Sequence, residues 1–296
     1  MKLIFLLSFL FIFSFSIHAQ TVSPGKAKKW QKDLHNLVAK LKERHPNLYH
    51  TISKTDFEKA VKDFDKRIPN LTTNQILTEF AKITALISDG HTSFFPGEQR
   101  KKRFRCFPVI FWSFSDGIYV VATTKEYTHL FGKRLLQIDQ TPIEDAYKMI
   151  CTTIGGDNDM EYEYSVPFYV KRPELLHTLE ISKSSDKAEF IFEGDTRTVF
   201  YALALKDYHK LKWFSGNELY GGKQMPSARP NFHFATDMTL PHLKQRKYYW
   251  FTYLEDEKAL FFQYNTCWNQ KDRPSITELT KEMLPYLDSH KADRII

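Results

Sequence analysis

Residues 72–92 read TTNQILTEFAKITALISDGHT, and the reading of this stretch decides the architecture. Thr72 followed by Gln75 is a capping-box pattern, in which each side chain satisfies a free backbone N–H at the start of a helix. Ile76, Phe80, Ile83 and Ile87 then recur at the spacing of one helical face. The period breaks at Asp89-Gly90-His91-Thr92, a polar turn carrying a histidine. A helix with one apolar side therefore delivers a histidine to the end of a packed element.

Upstream, Trp30, Leu34, Leu37, Val38 and Leu41 mark a first helix that stops before Pro46. Phe57, Val61, Phe64 and Ile68 mark a second, with Thr55 or Asp56 as its expected cap. Residues 20–103 thus form an N-terminal helical module. Downstream the period falls from about 3.6 to 2. Phe107 to Phe114 and Ile118 to Thr123 are aromatic and β-branched, joined through Asp116-Gly117, a strong hairpin signal. A β module is expected over 104–154, closed by a helix from Ile143 to Ile150. Residues 155–245 hold Gly155-Gly156 and strand-like runs at Ala188 to Phe192 and Val199 to Leu205, and read as irregular β structure. Both Gly155-Gly156 and Gly221-Gly222 lack phosphate-loop spacing and read as turns.

From 246 onward, Tyr248 to Tyr253 and Ala259 to Tyr264 read as paired strands. A helix from Ser275, capped with Glu278, and a further strand opening at Asp293-Arg294-Ile295-Ile296 follow. Strand, helix, strand is the order of a crossover unit in a parallel sheet. The fold class expected is α+β and built of several modules.

Met1-Lys2, an apolar run from Leu3 to Phe15 broken only by serines, and a cleavage site after Ala19 have the layout of a secretory signal over residues 1–19. The run is shorter than the roughly 18 residues a membrane span requires. The expected location is therefore periplasmic or extracellular, with no stable membrane span once the signal is removed. At 42% hydrophobic and 15% aromatic residues the chain can fill a core. Its net charge of +7 is spread along the sequence except at Arg100, Lys101, Lys102, Arg103 and Arg105. That cluster lacks aromatic platforms and reads as a solvated lead-in to a strand, not as a nucleic-acid surface. The three cysteines, Cys106, Cys151 and Cys267, have no metal-site spacing, and Cys106 and Cys267 sit in apolar, strand-like runs as small core residues. No cofactor is expected. A metal site of His45, His50 and His91 fits no helical ligand spacing, and none is expected.

The run His45-Pro46-Asn47-Leu48-Tyr49, the helix ending in Asp89-Gly90-His91-Thr92, and Leu135-Leu136-Gln137-Ile138-Asp139 with Pro142-Ile143 resemble secreted tail-specific serine peptidases, the group of C-terminal processing and tricorn-like proteases. Tyr249-Trp250, Gln263-Tyr264-Asn265 and the helix before Asp293-Arg294-Ile295-Ile296 are similar to the opening of that family's catalytic core. The resemblance implies a helical bundle, a PDZ-like peptide-binding module near 104–154 and the start, over 246–296, of a core related to crotonase and Clp protease. It implies peptide or unfolded protein as substrate, with no statement about oligomeric state. It also implies that the serine nucleophile lies beyond Ile296, so that this chain is inactive alone. Of the groups that acyl transfer requires, a base, an orienter of the base and oxyanion donors, only the first two have candidates here. His91 is the candidate general base, matching the upstream histidine of tricorn-like relatives. Asp89 is a possible orienter, Gly90 frees the backbone at the helix end, and Thr92 can bond locally. A non-catalytic secreted peptide-binding protein is the alternative.

Overall fold

The computed structural model describes residues 21–97, 104–214, 219–220, 249–264, 268–269, 274–290 and 292–296. It divides into two compact units, Met1–Asn231 and Phe232–Ile296.

The first unit opens with three helices, α1 (Pro24–Arg44), α2 (Lys54–Arg67) and α3 (Thr73–Ala85). Pro24 starts α1, where a missing N–H costs nothing. The cap of α2 is Ser53, not the expected Thr55 or Asp56. Ser53 is extended, and its hydroxyl accepts a bond from the Asp56 N–H at 3.0 Å, which Thr55 and Asp56 inside the first turn cannot supply. At α3 both bonds of the capping box form: Thr72 N–H donates to Gln75 at 2.9 Å, and Gln75 N–H donates to the Thr72 hydroxyl at 3.3 Å. The apolar faces meet in one core around Leu34, Phe57, Phe64, Ile76, Phe80 and Ile87, all nearly inaccessible to solvent. Full burial of such a side chain contributes roughly 1.5–3 kcal/mol, against about 1 kcal/mol for a cap.

The β part of this unit holds a hairpin of β2 (Val109–Phe114) and β3 (Gly117–Thr123), preceded by the short strand β1 (Arg105–Cys106). Phe114 pairs with Gly117, so the two-residue turn is Ser115-Asp116, one residue earlier than the Asp116-Gly117 expected from sequence. Gly117 itself has a φ of 150°, and a Cβ there would meet the Arg134 side chain at 3.0 Å. A second antiparallel sheet runs β5-β4-β6-β7, comprising β4 (Leu135–Ile138), β5 (Thr141–Pro142), β6 (Lys187–Phe192) and β7 (Thr196–Tyr201). Alternate residues of β6, Ala188, Phe190 and Phe192, face a core shared with Phe107, Phe111 and Phe200. Strands before residue 154 thus pair with strands after 187.

Between those strands lie α4 (Ile143–Cys151), α5 (Asp159–Tyr169) and α6 (Pro173–Thr178). The last two fall where sequence led to irregular β structure. The apolar residues of α5 alternate, Met160, Tyr162, Tyr164, Val166 and Phe168, and so carry a strand's period. The helix forms because Asn158 caps it, accepting from the Met160 N–H at 3.0 Å, and because it is apolar on more than one side. Val166 is fully buried in the core while Tyr164 remains partly exposed.

In the second unit β8 (Tyr249–Leu254) pairs antiparallel with β9 (Ala259–Tyr264), and β9 pairs parallel with β10 (Arg294–Ile295) across α7 (Ile276–His290). Ser275 and Glu278 complete the expected capping box of α7. This is the strand, helix, strand crossover read from sequence. No helix among the described residues is long and apolar enough to cross a membrane. Cys106 is buried and Cys151 half-buried, while Cys267, Gly221-Gly222 and Arg100 to Arg103 lie outside the described residues. Arg105 is no free surface charge: it binds Glu174 at 2.7 Å and Asp186 at 2.7 Å.

Candidate active site

The turn after α3 is fixed by its aspartate. Ser88 takes the left-handed conformation, φ 53°, which ends the helix. The sequence suggested Gly90 for that duty, but its backbone is not left-handed. Asp89 then binds the turn from three sides. Its carboxylate accepts from the Thr92 hydroxyl at 2.6 Å, from the His91 backbone N–H at 2.9 Å, and pairs with His45 Nε2 at 3.0 Å. These bonds, that from Thr92 foremost, hold its carboxyl down to about 2. The His45 side chain is only 8% exposed, and its Nδ1 accepts from the Asn47 N–H at 3.2 Å. The tautomer follows: Nε2 carries the proton toward Asp89.

His91 stands apart from this network. Its side chain is 97% exposed, with Nδ1 3.9 Å from Asp89 Oδ1, beyond hydrogen-bond length. The backbone of His91 is thus tied down while its imidazole is free, and among the described residues that ring makes no hydrogen bond.

A second loop is pressed against the turn, and sequence reading did not anticipate it. A Cβ on Gly155 would stand 2.9 Å from the Asp89 carbonyl oxygen and 3.1 Å from that of Thr92. Only glycine permits this approach. Asp157 follows, accepting from the Gly90 N–H at 3.3 Å, and a Cβ on Gly90 would lie 3.1 Å from its Oδ2. Gly155 and Gly90 therefore let Asp157 sit beside His91. The only trace in the sequence was the Gly155-Gly156-Asp157-Asn158 turn, whose partner 67 residues away carries no local signal.

Asp89, His91 and Asp157 can each offer one atom to a cation, with these atoms within 4.8 Å of one another. Ligands on a tetrahedral zinc stand roughly 3.3 Å apart, so the three would have to draw together to hold one. In the trio His45, His50 and His91, both ring nitrogens of His45 are engaged, Nε2 with Asp89 and Nδ1 with the Asn47 N–H, and His50 Nδ1 bonds the Asn47 carbonyl oxygen at 2.9 Å. Beside the turn lies a cavity of about 410 Å³, to which Gly90, Ser93 and Gly155 contribute.

Helices and sheets together make a mixed α and β fold. The solved structure of mature CPAF complexed with lactacystin matches at a TM-score of 0.51 and 13% identity. The match covers 89% of this chain and 54% of that one, so this chain spans about half the length of CPAF. At that identity the likeness is one of fold. Neither the family models nor the curated proteins compared with the sequence match it.

Proposed function

We propose that this chain supplies the general base of a secreted serine-type peptidase of the tail-specific group, with His91 in that role. The observation that carries the reading is the contrast between a pinned backbone and a free ring: Asp89 holds the His91 N–H, and the imidazole is almost wholly exposed. A general base must reach a hydroxyl to within about 2.6–3.2 Å, so it needs a fixed origin and an unblocked tip. In the reaction, His91 takes the proton of the attacking serine and returns it to the leaving amine. Asp89 serves this by setting the turn, and His45 serves it by holding Asp89.

The serine and the oxyanion donors come from outside these 296 residues in this reading, and the chain alone does not hydrolyse peptides. The match to about half of the longer CPAF chain supports that division. Residues 1–19 direct export, and 104–154 act as a PDZ-like module that holds the peptide. The substrate is a peptide or unfolded protein.

Labelling the natural mature product with a fluorophosphonate and measuring its intact mass tests the proposal. A single label on a serine outside residues 20–296, on a protein heavier than that segment, is the expected result. A label inside the segment, or a protein of only that mass that takes no label, overturns it. The latter outcome would favour a non-catalytic secreted peptide-binding protein, which the cavity beside the turn would serve equally well.

A further inference from the structure

The cavity at the His91 turn has the construction of a side-chain pocket. Leu77 and Ala81 of α3 form one wall, Tyr164 and Phe168 of α5 the other, and Phe94 and Leu175 also line it. Its volume of about 410 Å³ lies at the small end of ligand pockets, which run from roughly 300 to 1,000 Å³.

The walls are set before anything binds. The Tyr164 and Phe168 rings meet Trp112 edge-on, at centroid distances of 5.9 and 6.4 Å, and each other at 5.4 Å. Phe94 stacks on Phe80 at 5.2 Å, which anchors that residue to the helical core. Rings held in this way lose little freedom when a further ring joins them, and aromatic pairs favour such edge and offset contacts.

The charged residues of the lining have partners within the protein. Both Glu174 oxygens accept from Arg105, at 2.7 and 3.1 Å. Glu161 accepts from the Ser165 hydroxyl at 2.9 Å, and Arg172 donates to the Cys106 sulfur at 2.7 Å. What the cavity offers a newcomer is therefore chiefly apolar surface. Two of its aromatic residues, Phe95 and Tyr164, stay 68% and 41% exposed, a cost that an apolar occupant would relieve.

We infer that this cavity binds one aromatic side chain of a peptide lying across the His91 turn. The commitment to a peptide rests on the proposed peptidase reading and on continuity: Gly90, next to His91, and Gly155, against the Asp89 carbonyl, both line the cavity. A side chain seated there brings its own backbone to the candidate base. The pocket thereby gives a preference for an aromatic residue close to the bond that His91 serves.

The test is titration of the mature chain with N-acetyl-phenylalaninamide, followed by amide and methyl NMR, against N-acetyl-glycinamide as control. The phenylalanine compound should shift Gly90, Thr153 and Gly155 amides and Leu77 and Leu175 methyls, and the glycine compound should not. Ala81→Trp, which fills the cavity, and Tyr164→Ala, which trims a partly exposed wall, should each weaken binding by about tenfold or more. Equal shifts from both compounds, shifts mapping elsewhere, or wild-type binding by both variants would overturn the inference. Phenylalanine binding in a protein whose natural product takes no fluorophosphonate keeps the pocket and removes the peptidase. Labelling as expected with no binding in the cavity removes the pocket alone.

Discussion

His45 and Asp89, 44 residues apart, are joined by a 3.0 Å contact between Nε2 and Oδ2 that ties the end of α1 to the turn after α3. Through it the helical bundle sets the backbone on which His91 stands. Asp89→Asn should lower stability by about 1–3 kcal/mol near neutral pH, because three donors lose a charged acceptor. The carboxyl is depressed in the folded state, so the ionised form is the one folding favours. Its contribution is full above about pH 4 and disappears as the pH falls toward about 2. Urea unfolding of both proteins across that window should show the difference shrinking with acid. A difference constant with pH would assign it to shape alone.

Gly155→Ala places a carbon against two backbone carbonyl oxygens, at 2.9 and 3.1 Å, and neither can move without moving the turn. A loss of about 1–3 kcal/mol is expected, together with changed His91 ring resonances in NMR. Unchanged stability and unchanged resonances would mean that the two loops are not in close contact.

Lys171 lies buried with its ammonium 3.1 Å from the Tyr208 hydroxyl and 5.7 Å from the centre of the Phe168 ring. Burial, with Arg172 close by, holds its pKa down to about 8. Here the folded state disfavours the charged form, so stability should rise as the pH passes from about 8 to about 10, where only the unfolded chain keeps the proton. Relative to Lys171→Met, which cannot titrate, the wild type should gain of order 1–3 kcal/mol over that range. A pH-independent difference between the two in thermal or urea unfolding would contradict the burial of a charge-bearing amine.

Much of the fold was legible because it is written locally. Thr72 with Gln75, Ser275 with Glu278, and the alternation around Asp116-Gly117 each place their element within a residue or two. The helix at Asp159–Tyr169 was missed because aromatic residues at every second position imitate a strand when both sides of a helix are apolar. The candidate site divides in the same way. His91 and Asp89 stood out as a polar turn after an apolar face. The pairing of Asp89 with His45, and the approach of Gly155 and Asp157, are tertiary contacts with no period to betray them. Even within the turn, the left-handed residue proved to be Ser88 although a glycine stood two positions away, because Gly90 was needed for the close passage of Asp157.

The role of His91 is best tested by the rate at which the natural mature protein hydrolyses an unfolded polypeptide, compared between wild type, His91→Ala and His50→Ala. His50 is a neighbouring exposed histidine whose Nδ1 bonds the Asn47 carbonyl oxygen of its own loop, and serves as the control. Loss of a general base with its nucleophile intact should cost at least about a hundredfold, and in a coupled pair far more. The account predicts that His91→Ala abolishes hydrolysis, with folding preserved because the side chain it removes is exposed, while His50→Ala retains it. Hydrolysis by His91→Ala at the wild-type rate would contradict it.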